Sequence, residues 1–264
     1  MIYQSIRYEV KGPAAWITLN RPGALNSIDG AMLVEVPDAI AKADQDDAVH
    51  GIILTGAGRA FCAGADLKNL LGIIERKDSE EIRKFFQAAS DLFISIIKCR
   101  KPVIAAVNGV AAAGGIEFIQ ACDLVYAVED AKIGDAHVNF GVIPGGGGTI
   151  NLPRKIGPTR AKELLFTGDL LPARQLMEWG LINDVVADQE ALYERVSKLV
   201  EKIASKSPLV IRRMKELVDD GLDAPLDRAL AMEVRAWEAH GQSQDLAEGL
   251  NAFVEKRIPN YTGK

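Results

Sequence analysis

KPVIAAVNGVAAAGGIEFIQACD, Lys101 to Asp123, is the stretch on which the reading of this chain turns. Val103 to Val107 is a run of small and branched apolar residues, the pattern of a strand covered on both faces, and Asn108-Gly109 supplies the turn that ends it. Ala111, Ala112, Ala113, Gly114 and Gly115 follow, small enough for another molecule to approach the backbone closely. A helix opened by Gly114-Gly115 leaves its first amides without intrahelical partners, at the positive end of its macrodipole. Such amides can hold a developing oxyanion, and Glu117, within the first turn, is close enough to act on whatever they hold. The ordinary alternative is tight helix-on-sheet packing, with an acidic residue complementing the dipole.

The 264 residues allow one large domain, or a domain with an appendage. With 31 basic and 36 acidic residues the net charge is -5, so no global charge recruits nucleic acid or an anionic membrane. Cys62, Cys99 and Cys122 are odd in number and share no metal-like spacing, so they read as small buried hydrophobes in a reducing compartment. The stretch MIYQSIRYEVKG has no apolar core of signal-peptide length, and no apolar run reaches membrane-spanning length, so a soluble, cytoplasmic protein is expected.

Outward from the centre, strands and helices alternate. Ile6, Tyr8 and Val10 alternate with polar residues, Lys11-Gly12-Pro13 turns, and Ala15 to Leu19 resumes the alternation, which predicts a hairpin. Ser27 or Asp29 caps a following helix that Pro37 is expected to interrupt. Gly51 to Thr55 reads as a buried strand and Gly56 to Leu70 as a Gly/Ala-rich loop after it. Asp78 with Glu81 has the form of a capping box opening a helix whose apolar spacing runs to Ile97. Leu124 to Ala127 is another buried strand, followed by a long loop over Asp135 to Gly148. Helices over Pro158 to Phe166 and Ala173 to Trp179, a strand at Asp184 to Val186, and helix alone beyond Gln189 complete the pattern. The division is an α/β core over residues 1–190 and a helical region over residues 191–264.

Taken together, AFCAGADLK (60–68), NGVAAAGGIEF (108–118), CDLVYA (122–127), FGVIPGGGGT (140–149) and AFVEKR (252–257) resemble the crotonase family, the enoyl-CoA hydratase and isomerase superfamily. Their order and spacing span nearly the whole chain. The resemblance implies a spiral of ββα units, a C-terminal helical trimerisation region, trimers or hexamers, and an acyl-CoA thioester substrate, as in fatty acid metabolism. Coenzyme A is then part of the substrate, and no separate cofactor or metal is implied. The family's two oxyanion amides map onto Ala65 and Gly114, and its coenzyme A site onto Ala63, Ala65, Asp66, Leu67 and Lys68. Trp237 and Lys256 fall where the family supplies an aromatic and a basic residue to the nucleotide, typically from a neighbouring subunit. Backbone donors suit this chemistry, because α-proton transfer or conjugate addition places negative charge on the thioester oxygen.

The family's hydratases hold a water between two glutamates. The first maps onto Glu117, and the second onto His137, in GDAHVNFG. Hydration needs a base for the water and an acid for the α-carbon, and a carboxylate and an imidazole can divide those tasks. Asp135 could orient the imidazole or approach the substrate; in the ordinary reading His137 is a loop histidine satisfied by a nearby backbone group and Asp135 a cap or turn residue. Dienoyl isomerases and dehalogenases of this family use an aspartate at the position held here by Gly145, and 3,4-to-2,3 isomerases keep the second glutamate rather than the first. The retained Glu117 therefore points to water chemistry. Isomerisation, hydrolysis or decarboxylation at the same oxyanion site, and acyl-CoA binding without catalysis, are the competing readings. There is no G-x-S-x-G elbow, and Gly145 to Gly148 lacks the Lys-Ser/Thr ending of a phosphate loop.

Overall fold

In the computed structural model, which describes residues 2–264, the chain opens with the hairpin its alternation predicts. Strand β1 (Ile6–Lys11) pairs antiparallel with β2 (Ala14–Leu19), and Gly12 turns between them at φ 56°. Helix α1 (Met32–Gln45) begins where the Asp29 carboxylate accepts the Met32 amide at 2.9 Å, so Asp29 rather than Ser27 supplies the cap. Pro37 lies inside α1 without breaking it. The missing N–H costs one helical bond, but Met32, Val36, Ala39, Ile40 and Ala43 form a continuous buried stripe whose burial exceeds that loss.

A repeating unit follows. Strand β3 (Gly51–Gly56) is followed by β4 (Ala60–Cys62) and helices α2 (Leu67–Glu75) and α3 (Ser79–Ile97). Strand β5 (Val103–Val107) is followed by β6 (Val110–Ala112) and α4 (Gly114–Ala121). Strand β7 (Leu124–Val128) is followed by β8 (Lys132–Gly134), a 3-10 turn at His137–Phe140, and helices α5 (Gly148–Ile156) and α6 (Pro158–Thr167). The first strand of each unit joins a six-stranded sheet and the second joins a four-stranded one. Once β9 (Leu171–Pro172), helix α7 (Ala173–Glu178) and β10 (Asp184–Val186) are added, the orders are β1-β2-β3-β5-β7-β10 and β4-β6-β8-β9. Stacked ββα units of this kind are the expected spiral.

Three second strands, β4, β6 and β8, lie in segments to which the sequence pattern assigns no strand. Each has only three residues, too short for a period-two pattern to register. Helix α5 starts at the last residue of the expected loop, Gly148, and runs with Pro153 inside it through a segment to which the sequence pattern assigns no helix. The capping box at α3 is one-sided: Asp78 accepts the Glu80 and Glu81 amides, while Glu81 turns to Arg76.

Helix α4 is buried along its whole length, and its Phe118 ring meets Phe93 of α3 edge-on at 5.0 Å. A Cβ on Gly115 would lie 2.1 Å from the Cys62 carbonyl, so only glycine lets α4 start against β4. The three cysteines are buried and unpaired. Beyond β10 come α8 (Gln189–Ala204), α9 (Pro208–Leu222), α10 (Leu226–His240) and α11 (Gln244–Glu255). Helix α8 packs Leu192, Val196 and Val200 into the core, whereas α9 and α10 bury no residue at all.

Candidate active site

β4, β6 and β8 are parallel neighbours, and the segments leaving their C-terminal ends carry Ala63 to Lys68, Ala113 to Glu117 and Asp135 to His137. Ligands gather at the carboxyl ends of parallel strands, where loops converge and helices begin. Here the three segments wall a cavity of about 670 Å³.

Ala65 and Gly114 both line it, and their N–H groups are placed by different local structure. Ile28 forms a parallel bridge with Ala65: its amide reaches the Gly64 carbonyl at 2.8 Å, and its carbonyl takes the Asp66 amide at 2.9 Å. Pairing of that pattern leaves the Ala65 N–H on the side away from Ile28. Gly114 is the first residue of α4, where the N–H has no intrahelical acceptor. The two loops touch, since a Cβ on Gly114 would lie 3.4 Å from Gly64 Cα. The residues before the two donors have positive φ: Gly64 at 100° and Ala113 at 49°, the latter unusual for an alanine.

Glu117, 4% exposed, projects from the first turn of α4 toward the start of α5. Its Oε1 accepts the Gly146 amide at 2.7 Å and the Gly148 amide at 3.0 Å, which leaves Oε2 as the oxygen able to work. Burial pushes the Glu117 carboxyl above its ordinary value, against the opposing pull of His137 and of the two amides. His137 Nε2 stands 3.9 Å from Oε2, and on the other edge of the ring Nδ1 lies 2.9 Å from Asp135 Oδ1. Burial works against the imidazolium, but the Asp135 hydrogen bond and the charges of Asp135 and Glu117 outweigh it, so His137 is held above its ordinary value. A carboxylate oxygen and a protonatable ring nitrogen 3.9 Å apart can both hydrogen-bond one water placed beside the pair, an arrangement that suits addition of water across a polarised double bond.

Ala63, Ala65, Asp66, Leu67, Lys68, Gly114, Glu117 and His137, the residues the resemblance singles out, all line this one cavity. Asp66 is nonetheless engaged elsewhere: it caps α2 through Asn69 and binds Arg21 at 3.1 Å, whose guanidinium holds its carboxyl below the usual range. Trp237 and Lys256 do not line the cavity; Trp237 is 60% exposed on α10 and Lys256 ends α11 at φ 55°. Sequence reasoning missed the walls supplied by Phe85, Phe86 and Phe93, because their helical spacing reads as core. It also missed the Gly146 and Gly148 amides, whose sole signal is the glycine run itself.

A sequence profile described as enoyl-CoA hydratase/isomerase matches residues 9–264. A crotonyl-CoA hydratase from Syntrophomonas wolfei is 38% identical over 100% of both chains. A short-chain-enoyl-CoA hydratase from Clostridium acetobutylicum is 35% identical over 97% of each. Among solved structures, an enoyl-CoA hydratase from Bacillus anthracis superposes with a TM-score of 0.93 at 38% identity, covering 99% of this chain and 100% of that one.

Proposed function

The chain belongs to the enoyl-CoA hydratase/isomerase family, and from that premise we propose that it adds water to a 2-enoyl-CoA thioester, or removes it in reverse. The observation that carries this reading is the placement of Glu117 Oε2 opposite His137 Nε2, in the cavity that Ala65 and Gly114 also line. The thioester carbonyl accepts the Ala65 and Gly114 amides. Water hydrogen-bonded to both Glu117 and His137 from beside the pair loses a proton to Glu117 and attacks the β-carbon. The charge that develops on the thioester oxygen meets donors already in place, so little reorganisation is needed. His137 assists proton transfer at the α-carbon.

Lys68 serves the coenzyme A phosphates. The apolar faces of α9 and α10, with Met214, Val218, Leu226, Leu230 and Val234 more than half exposed, support assembly into trimers or hexamers. Trp237 and Lys256 would then reach a neighbour's nucleotide. Sedimentation of the 28.5 kDa chain at three or six times its mass supports that arrangement, and a monomer at micromolar concentration refutes it.

Product analysis over a panel of acyl-CoAs tests the reaction. A 3-hydroxyacyl-CoA from a short 2-enoyl-CoA is the expected product; a shifted double bond, a free acid or released carbon dioxide would move the assignment to isomerase, hydrolase or decarboxylase.

A further inference from the structure

Asp135 is 1% exposed, and the hydration reaction gives it no direct task. Its Oδ1 meets His137 Nδ1 at 2.9 Å and accepts the His137 amide at 3.2 Å, while its Oδ2 is buried without a hydrogen-bond partner among the described residues. That second oxygen borders the ground held by Glu117: a Cβ on Gly148 would lie 3.3 Å from Asp135 Oδ2 and 3.2 Å from Glu117 Oε1. Two buried carboxylates therefore flank one imidazole, Asp135 from the loop after β8 and Glu117 from α4. Neither is ion-paired to a Lys or Arg among the described residues. The other groups packed there add no charge: α5 and its leading loop present amides, α3 presents Phe93, and the Cys62 thiol is pushed up by burial to about 12. The ring is the cluster's one available cation. Unpaired buried charge is costly, so the cluster favours a ring that carries its second proton.

We propose that Asp135 is a positioning residue that holds His137 as an imidazolium with Nδ1–H on Asp135, so that Nε2–H is the acid for the α-carbon and Glu117 Oε2 the base for water. The proposal rests on the hydration reading and assigns its protons. As the water oxygen bonds to the β-carbon, one of its O–H bonds breaks and that proton passes to Glu117 Oε2. The π electrons move to the thioester oxygen, and as they return the α-carbon takes the Nε2 proton. His137 has then lost one proton and Glu117 has gained one, and transfer from Glu117 Oε2 to His137 Nε2 through one water that hydrogen-bonds both, the atoms themselves being 3.9 Å apart, restores the starting state.

The test is an NMR titration of the His137 ring in the full-length protein, its signal identified among the three histidines by its loss in His137→Gln. It is run for the wild type and for Asp135→Asn, which keeps an acceptor for Nδ1–H but removes the charge. The wild-type ring should titrate above its ordinary value. In the variant the midpoint should fall by roughly one pH unit or more, the scale of losing an adjacent opposite charge. The basic limb of kcat/KM for a 2-enoyl-CoA should move down with it. An unmoved titration in Asp135→Asn, or a uniform loss of kcat with no shift of the basic limb, overturns the proposal. If the wild type turns over no enoyl-CoA, the ring titration alone decides the coupling, and the hydratase reading is what falls.

Discussion

Glu117 Oε2 and His137 Nε2 face each other across 3.9 Å, while the other oxygen of the same carboxylate is held by the Gly146 and Gly148 amides. The carboxylate thus cannot rotate to present either oxygen at will. One oxygen anchors it to the start of α5, and the other is aimed at the ring.

This pairing sets the pH dependence. In the proposed reaction Glu117 acts as the carboxylate, and burial raises it above its ordinary 4.5, so kcat/KM should fall as pH drops through a midpoint above that value. In the same proposal His137 acts as the protonated ring, and Asp135 and Glu117 raise it above 6.5 against the pull of burial, so activity should also fall as pH rises through a midpoint higher than 6.5. A bell with both limbs displaced upward is expected, measured as initial rates at limiting substrate. A basic limb at or below the ordinary histidine value would contradict the protonated-ring assignment.

Gly146 tests how tightly this arrangement is packed. A Cβ there would lie 2.0 Å from the Phe93 ring and 2.9 Å from Glu117 Oε2. Gly146→Ala must push the ring or the loop aside, at a stability cost of about 1–3 kcal/mol, the usual range for overpacking. Because the same amide holds Glu117 Oε1, kcat should fall by more than stability alone explains. Denaturant unfolding and steady-state kinetics on the folded variant separate the two effects.

Ala113 tests the strain beside Gly114. At φ 49° and ψ -115° it occupies a conformation costly for a side chain, on the scale of about 1–3 kcal/mol. Ala113→Gly relieves that strain, partly offset by about 0.4–1 kcal/mol from a freer unfolded chain. Its unfolding free energy should stay level or rise, with the fold retained. Ala113→Val, β-branched at the same φ, should be destabilised. A glycine variant markedly less stable than the wild type would show that the conformation is not strained.

Much of the fold was legible because the long elements obey their periods: the opening hairpin, the buried runs at Ile52 and Val103, and the apolar spacing of α3 all appear where the pattern puts them. The three-residue strands were not, since Ala60–Cys62 and Val110–Ala112 look like the small-residue loops around them. Pro37 misled because a local rule about a lost hydrogen bond cannot see the stripe that α1 buries. In the candidate site, Ala65, Gly114, Glu117 and His137, named from their motifs, share a cavity. The phenylalanines of α3 were not, because an apolar side chain on a helix reads the same whether it faces a core or a ligand.

The most direct test of the central claim is turnover of a short 2-enoyl-CoA by Glu117→Gln. Glutamine keeps the volume and an oxygen for the Gly146 and Gly148 amides but cannot take a proton from water. With the fold retained by circular dichroism, hydration should fall by more than about a hundredfold, the scale of general acid-base catalysis, with KM little changed. Turnover equal to the wild type would remove Glu117 from the chemistry and with it the account given for this site.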